Sequence, residues 1–133
     1  MKNVGFIGVG YMGYGIAKNI LKNKNNLFVI ANKNRSPIEK IVNEGAVEVK
    51  SYDELCSKDL DCLFLCVTNT PIAHSIIEKI LPLLNSDTLK GVEFLETTIS
   101  PSNLSSKKLF EKVAKELNCD LSQKEFFKKE DFN

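Results

Sequence analysis

The sequence contains few of the residues that bind metals or act as acid–base catalysts near neutral pH. It has one histidine, His74, and four cysteines, none of which forms a Cys-x-x-Cys pair. Because structural zinc sites need closely spaced Cys and His ligands, we expect no metal site. Cys62 and Cys66 fall in an apolar run that is predicted to be a buried strand. We therefore interpret the cysteines as free thiols that pack like small apolar side chains.

A strong charge excess and a long apolar run are also absent. Eighteen Lys and Arg residues balance seventeen Asp and Glu residues, which leaves a net charge of +1. A nucleic-acid-binding protein usually carries a basic surface, so nucleic acid is not an expected partner. No apolar run reaches the roughly 18 residues that cross a bilayer, and glycines interrupt the N-terminal stretch where a signal peptide would need an apolar core. We expect one soluble, cytoplasmic domain without membrane contact.

Strand-like and helix-like segments alternate along the chain. The strand-like segments are mainly apolar rather than alternating, and the helix-like segments carry apolar residues three and four positions apart. This alternation is typical of a parallel sheet that helices cover on both faces. The sequence therefore predicts an α/β doubly wound domain in three layers, α/β/α, with about five to six strands. The predicted strands are residues 3–7, 27–31, 46–49, 60–67 and 92–96. The predicted helices are residues 14–22, 38–44 and 52–57, together with a fourth helix that begins at Pro71 and a fifth that Ser102 caps.

A glycine-rich turn, Gly8-Val9-Gly10-Tyr11-Met12-Gly13, joins the first predicted strand to the first predicted helix. This strand–turn–helix context is the one in which GxGxxG binds a dinucleotide. Gly8 permits the tight turn, Gly10 lets the backbone approach a pyrophosphate, and Gly13 allows close packing of the helix on the strand. The N–H groups at the start of the helix then face the phosphates. The alternative is a glycine turn that serves only compactness.

The only arginine of the chain, Arg35, lies in the polar loop after the second predicted strand. NAD-binding domains place an Asp or Glu there, about 20 residues beyond the glycines, to accept the ribose hydroxyls. Residues 32–36 contain no acid. The Arg35 guanidinium can instead stack on adenine and bind the 2′-phosphate of NADP, with Lys33 or Ser36 assisting. The sequence thus predicts a preference for NADP over NAD, and the alternative is a solvated loop arginine.

Two polar residues, Thr68 and Asn69, follow the fourth predicted strand. Open parallel sheets bind ligands at the carboxyl ends of their strands. We therefore expect these two residues to lie beside the cofactor ribose, and the alternative is that they only form the turn.

Several segments resemble the β-hydroxyacid dehydrogenases, a family that includes 3-hydroxyisobutyrate dehydrogenase, tartronate semialdehyde reductase and the N-terminal domain of 6-phosphogluconate dehydrogenase. Residues 5–20 resemble the opening signature of the family. Asn34-Arg35-Ser36-Pro37 resembles the turn that NADP-preferring members have after the second strand. Residues 97–101 resemble the segment with which the family contacts the cofactor ribose and the substrate. The resemblance covers residues 2–118 and implies a Rossmann-type domain that binds NADP or NAD. The cofactor-binding residues expected on these grounds are Gly8, Val9, Gly10, Tyr11, Met12, Gly13, Asn34, Arg35, Ser36, Val67, Thr68, Asn69, Thr97 and Thr98.

The resemblance ends at Cys119-Asp120. Family members continue into a glycine-rich substrate loop, a helix with a catalytic lysine and an all-α domain, which this sequence does not contain. We expect residues 1–121 to form the cofactor-binding domain and residues 122–133 a tail without a family counterpart, and we assign no catalytic residue. A small hydroxyacid substrate would then require a missing domain or a partner chain. The tail residues Phe126, Phe127 and Phe132 are expected to cover a sheet edge or to mediate self-association, for example in a homodimer.

Three functions are compatible with these observations. The first is the NADP-binding domain of a 3-hydroxyisobutyrate dehydrogenase-like oxidoreductase that is incomplete for catalysis alone. The second is a non-catalytic module that uses a bound dinucleotide to regulate a partner. The third is a degenerate remnant that keeps the fold and has lost ligand binding.

Overall fold

Four parallel strands form the sheet in the described part of the computed structural model, which comprises residues 1–84, 93–125 and 129–132. The chain divides into two compact units, Met1–Thr98 and Ile99–Asn133. Within the described ranges, no helix has both the length and the apolar character needed to cross a membrane. The elements of the first unit are β1 Asn3–Ile7, α1 Tyr11–Lys22, β2 Asn26–Ile30, α2 Ser36–Asn43, β3 Val47–Val49, α3 Tyr52–Cys56, β4 Cys62–Leu65 and α4 Thr70–Leu84.

The strands lie in the order β3-β2-β1-β4, and every neighbouring pair is parallel. Val4 of β1 is in register with Leu27 of β2 on one side and with Cys62 of β4 on the other. The chain therefore winds away from β1 in one direction through β2 and β3, and in the other direction to β4. This reversal creates a crevice at the carboxyl ends of β1 and β4, the place where open α/β sheets bind ligands.

Alternate side chains of β1 enter two separate cores. Phe6 packs on one face with the helices α1 and α2, whose buried residues include Ala17 and Ile41. Ile7 packs on the opposite face with α4 and with Leu55 of α3. Helices thus cover both faces of a parallel sheet, which confirms the predicted doubly wound α/β fold in three layers.

The prediction of a fifth strand over residues 92–96 is wrong for residues 93–96, which form no regular structure. Val92 lies outside the described residues. Phe94 is 79% exposed and Leu95 is 56% exposed. The described sheet accordingly has four strands rather than five or six. Phe94 and Leu95 favour a strand locally, whereas a strand also needs an edge to pair with and a face to bury.

The fourth strand is shorter and more exposed than expected. The sequence predicts a buried strand over residues 60–67, but β4 comprises only Cys62–Leu65 and lies at the edge of the described sheet. Cys62 is exposed there. The ring of Phe64 stacks on the ring of Phe6, yet Phe64 is 40% exposed. All four cysteines are free thiols, of which Cys56 is the buried one. Burial, followed by the nearby carboxylate of Asp53, raises the pKa of the Cys56 thiol. Cys56 therefore packs as predicted, whereas the exposed Cys62 and Cys119 do not.

The second unit contains α5 Leu104–Glu116 and a short 3₁₀ helix, Lys129–Phe132. Asn103, rather than the expected Ser102, caps α5, because the side-chain Oδ1 of Asn103 accepts a hydrogen bond from the backbone N–H of Ser106 at 3.1 Å. Leu109 and Val113 are the buried residues of this helix. Phe126 and Phe127 lie outside the described residues, as does the side chain of Phe132, so the role expected for these tail phenylalanines stays a prediction.

Candidate functional site

The turn after β1 depends on Gly8. Its φ of 99° lies in the left-handed region that side chains rarely adopt. A Cβ at this position would lie 1.8 Å from the carbonyl oxygen of Cys66, the residue that follows β4. The N–H of Gly10 donates to the carbonyl of Gly8 at 2.9 Å and closes the turn. Gly8 thus lets the carboxyl ends of β1 and β4 approach each other directly.

Gly13 serves the packing of α1 against the same turn. A Cβ on Gly13 would lie 2.1 Å from the carbonyl oxygen of Gly8 and 3.1 Å from the ring of Phe6. The helix can therefore approach the strand and turn only without a side chain at this position. Both glycines thus have the structural roles that the glycine motif predicts.

The N-terminus of α1 is open toward the crevice side of the sheet. Gly10 is the N-cap, no side chain caps the helix, and the first turn contains no acidic residue. The first helical hydrogen bond runs from the N–H of Tyr14 to the carbonyl of Gly10 at 2.8 Å, so the N–H groups that precede it have no intrahelical acceptor. A Cβ on Gly10 would meet no atom within 4 Å. These features fit an anion that approaches the backbone closely, because N–H groups and the helix dipole favour negative charge there.

A cleft of about 220 Å³ lies beside this helix end. It joins three segments that are distant in sequence, namely the glycine turn, the loop after β2 and the segment after β4. The residues that line it are Gly8, Val9, Gly10, Asn32, Lys33, Asn34, Ile38, Cys66, Val67, Thr68 and Ile72. Six of the residues expected from the sequence line this cleft, and they are Gly8, Val9, Gly10, Asn34, Val67 and Thr68.

Four lining residues had not been assigned to the site from the sequence, namely Asn32, Ile38, Cys66 and Ile72. Asn32 and Cys66 each follow the end of a parallel strand, so the rule that ligands bind at these ends could have identified them. Ile38 and Ile72 lie in the first turns of α2 and α4. Their apolar character indicates a core role and gives no signal for a cleft.

Arg35 does not line the cleft, because other contacts hold its guanidinium. Its Nη1 and Nη2 groups donate to Oε1 and Oε2 of Glu48, both at 3.1 Å, and its Nε lies 3.7 Å from a carboxylate oxygen of Glu39. The hydrogen bonds to Glu48, above all, raise the pKa of Arg35. Asn34 forms a local turn, in which its Oδ1 accepts from the N–H of Ser36 at 3.2 Å.

Other expected site residues lie outside the lining of the cleft. The exposed side chains of Tyr11 and Met12 begin α1. The Oδ1 of Asn69 accepts from the N–H of Ile72 at 3.1 Å, so Asn69 caps α4. Thr97 and Thr98 are exposed in the irregular segment at the end of the first unit.

A second cavity, of about 190 Å³, opens toward α3 and α4. It shares Gly8, Asn32, Val67 and Ile72 with the first, and Tyr52 also lines it. Burial raises the pKa of the Tyr52 phenol. The two cavities together extend the crevice across the carboxyl ends of β1, β2 and β4.

A family model described as the NAD binding domain of 6-phosphogluconate dehydrogenase matches residues 3–121 of the chain. An imine reductase from Streptomyces aurantiacus is structurally similar, with a TM-score of 0.67 and 17% identity over 86% of this chain and 38% of the reductase. An imine reductase variant from Myxococcus stipitatus, solved in complex with NAD⁺, has a TM-score of 0.64 and 18% identity over 90% of this chain and 39% of its own. Both similarities demonstrate the fold.

A glutamyl-tRNA reductase from Methanosphaera stadtmanae is 32% identical over 78 residues, which are 59% of this chain and 20% of that reductase. The chain therefore spans one fifth of this relative, and about two fifths of the two imine reductases.

Proposed function

We propose that this chain, which belongs to the family of the NAD binding domain of 6-phosphogluconate dehydrogenase, binds NADP(H) in its cleft as the cofactor domain of a 3-hydroxyisobutyrate dehydrogenase-like oxidoreductase. The observation that supports the proposal best is the uncapped N-terminus of α1 beside the side-chain-free Gly10. A pyrophosphate is the part of a dinucleotide that such a helix end recognises.

The residues of the cleft divide into groups that suit different parts of a dinucleotide. The N–H groups at the start of α1, from Tyr11 onward, would hold the pyrophosphate. Asn32, Lys33 and Asn34 would contact the adenosine ribose and its substituents, and Val67 and Thr68 would lie on the opposite wall. A bound nicotinamide cofactor supplies hydride transfer, while the protein binds and orients it.

The preference for NADP rests on the charges of the loop after β2. Residues 32–36 contain no carboxylate that would repel a 2′-phosphate, and Lys33 lines the cleft. Arg35 lies two residues farther along the same loop, although Glu48 and Glu39 hold its side chain. We infer that the site prefers NADP(H) to NAD(H), and that the carboxylates of Glu48 and Glu39 around Arg35 reduce this preference.

The role that we assign to these residues is binding rather than proton transfer. Among the residues that the structure describes, none that lines the cleft has a carboxylate or an imidazole. His74, the single histidine, lies on α4, where its Nδ1 is 3.4 Å from a carboxylate oxygen of the exposed Glu78. This composition favours, as a second candidate, a module that binds a dinucleotide without turning it over.

Calorimetric titration of the protein with NADPH and with NADH tests the proposal. We expect saturable binding of both, with one site per chain and tighter binding of NADPH. Tighter binding of NADH would refute the NADP preference, and no binding by folded protein would refute the dinucleotide site. Oxidation of NADPH in the presence of a small aldehyde acid, such as tartronate semialdehyde, would distinguish an oxidoreductase from the binding module.

A further inference from the structure

Glu48 forms a two-pronged contact with the only arginine of the chain. Two parallel hydrogen bonds of 3.1 Å join Nη1 and Nη2 of Arg35 to the two carboxylate oxygens of Glu48. The side chain of Glu48 is 31% exposed and that of Arg35 is 55% exposed, so water reaches the pair. The contact of Arg35 with Glu39 is weaker, because it joins only Nε to one oxygen at 3.7 Å.

The register of the sheet brings these two residues together. Glu48 is the middle residue of β3 and is paired with Val29 of β2, whose side chain packs on the face that α1 and α2 cover. Arg35 is the residue immediately before α2. The carboxylate thus emerges on the same face as the start of α2, within reach of the guanidinium.

The same edge of a guanidinium that binds two carboxylate oxygens also binds two oxygens of a phosphate. The edge that carries both Nη groups cannot hold Glu48 and a phosphate in two-pronged contacts at once, and the other edge, which carries Nε, faces Glu39 at 3.7 Å. A phosphate near Arg35 would therefore either displace Glu48 or lie close to its negative charge. Both outcomes weaken the binding of a phosphate relative to an arginine that has no carboxylate partner.

We propose that Glu48 is a specificity-determining residue, which weakens the selection of NADP(H) over NAD(H) by competing with the 2′-phosphate for Arg35. The inference rests on the proposed function, because it requires that a dinucleotide binds in the cleft with its 2′ position near the loop after β2. Glu48 lies in the middle of β3 and not in the glycine turn, the loop after β2 or the segment after β4, which line the cleft.

The test is calorimetric titration of wild type, Glu48→Gln and Glu39→Gln with NADPH and with NADH. Gln keeps the shape of the side chain and removes its charge. We expect Glu48→Gln to increase the affinity for NADPH by about two- to five-fold, the range set by the strength of a partly exposed ion pair, and to leave NADH affinity unchanged. Glu39→Gln removes the same charge from a weaker contact, so its effect on NADPH should be smaller.

The same substitution in an Arg35→Ala background shows whether the effect passes through the guanidinium. Glu48→Gln should then change NADPH affinity by less than its effect in the wild-type background. Weaker NADPH binding by Glu48→Gln would overturn the inference, because it would mean that Glu48 presents Arg35 to the phosphate. Unchanged NADPH affinity would overturn it as well. If neither dinucleotide binds to any folded variant, the proposed function itself fails.

Discussion

Replacing Gly10 by alanine separates the binding role of the glycine turn from its structural role. The φ of Gly10 is −105°, which any residue adopts, and a methyl group at this position would meet no atom within 4 Å. The fold should therefore tolerate the substitution. Alanine is a poorer N-cap than glycine, so we expect Gly10→Ala to lower the free energy of unfolding by at most about 1 kcal/mol.

The added methyl group would occupy the space through which a pyrophosphate approaches the N–H groups of α1. A methyl group forced into a close contact costs about 1–3 kcal/mol, which corresponds to about 5- to 150-fold weaker binding. NADPH and NADH share the pyrophosphate, so both affinities should fall by the same factor. Calorimetric titration measures the affinities, and thermal unfolding followed by circular dichroism measures the stability.

Gly15→Ala is the matched control for Gly10→Ala. Gly15 is exposed within α1, and a Cβ there would also meet no atom within 4 Å. Because glycine disfavours a helix interior by about 0.5–1 kcal/mol relative to alanine, Gly15→Ala should stabilise the protein and leave both affinities unchanged. Affinities for Gly10→Ala that equal those of the wild type would refute a pyrophosphate at this turn, as would an equal loss of affinity in both variants.

Two further predictions concern stability. Gly8→Ala should lower the free energy of unfolding by about 3 kcal/mol or more, because the added Cβ would lie 1.8 Å from the carbonyl oxygen of Cys66 at a φ of 99°. A melting temperature equal to that of the wild type would contradict the turn geometry. Asp61 accepts from the N–H of Asn3 at 2.8 Å and from Lys2 at 3.2 Å, contacts that hold its pKa below the ordinary 3.8. This stabilisation is present above pH 3.8 and is lost as the pH falls through the lower folded pKa of Asp61. Asp61→Asn should therefore be less stable than the wild type at neutral pH, and the difference in unfolding free energy should shrink in acid. A difference that stays constant with pH would contradict this account.

Local sequence patterns predicted the elements that surround the crevice. The apolar run of β1 and the glycine spacing together indicated the turn, and the structure gives Gly8 and Gly13 the roles expected of them. The end of β2 likewise marked the loop that contributes Lys33 and Asn34 to the cleft. These features depend on backbone conformation and strand ends, which a short stretch of sequence largely determines.

Features that depend on tertiary contacts were not predictable in the same way. Glu48 meets Arg35 because β2 and β3 align in one register, and nothing in the residues between them signals the pair. Residues 93–96 include Phe94 and Leu95, which favour a strand locally, but they form none. Asparagine is ambiguous for a further reason, since Asn69 was expected to contact a ribose while its side-chain oxygen caps α4.

Backbone amide chemical shifts, recorded by nuclear magnetic resonance while NADPH is added, would locate the ligand on the chain. A dinucleotide in the cleft should shift the amide signals of residues 8–13, 32–34 and 66–68 in a saturable manner, with the largest changes at the start of α1. Saturable shifts that avoid residues 8–13 would contradict a pyrophosphate site at the N-terminus of α1.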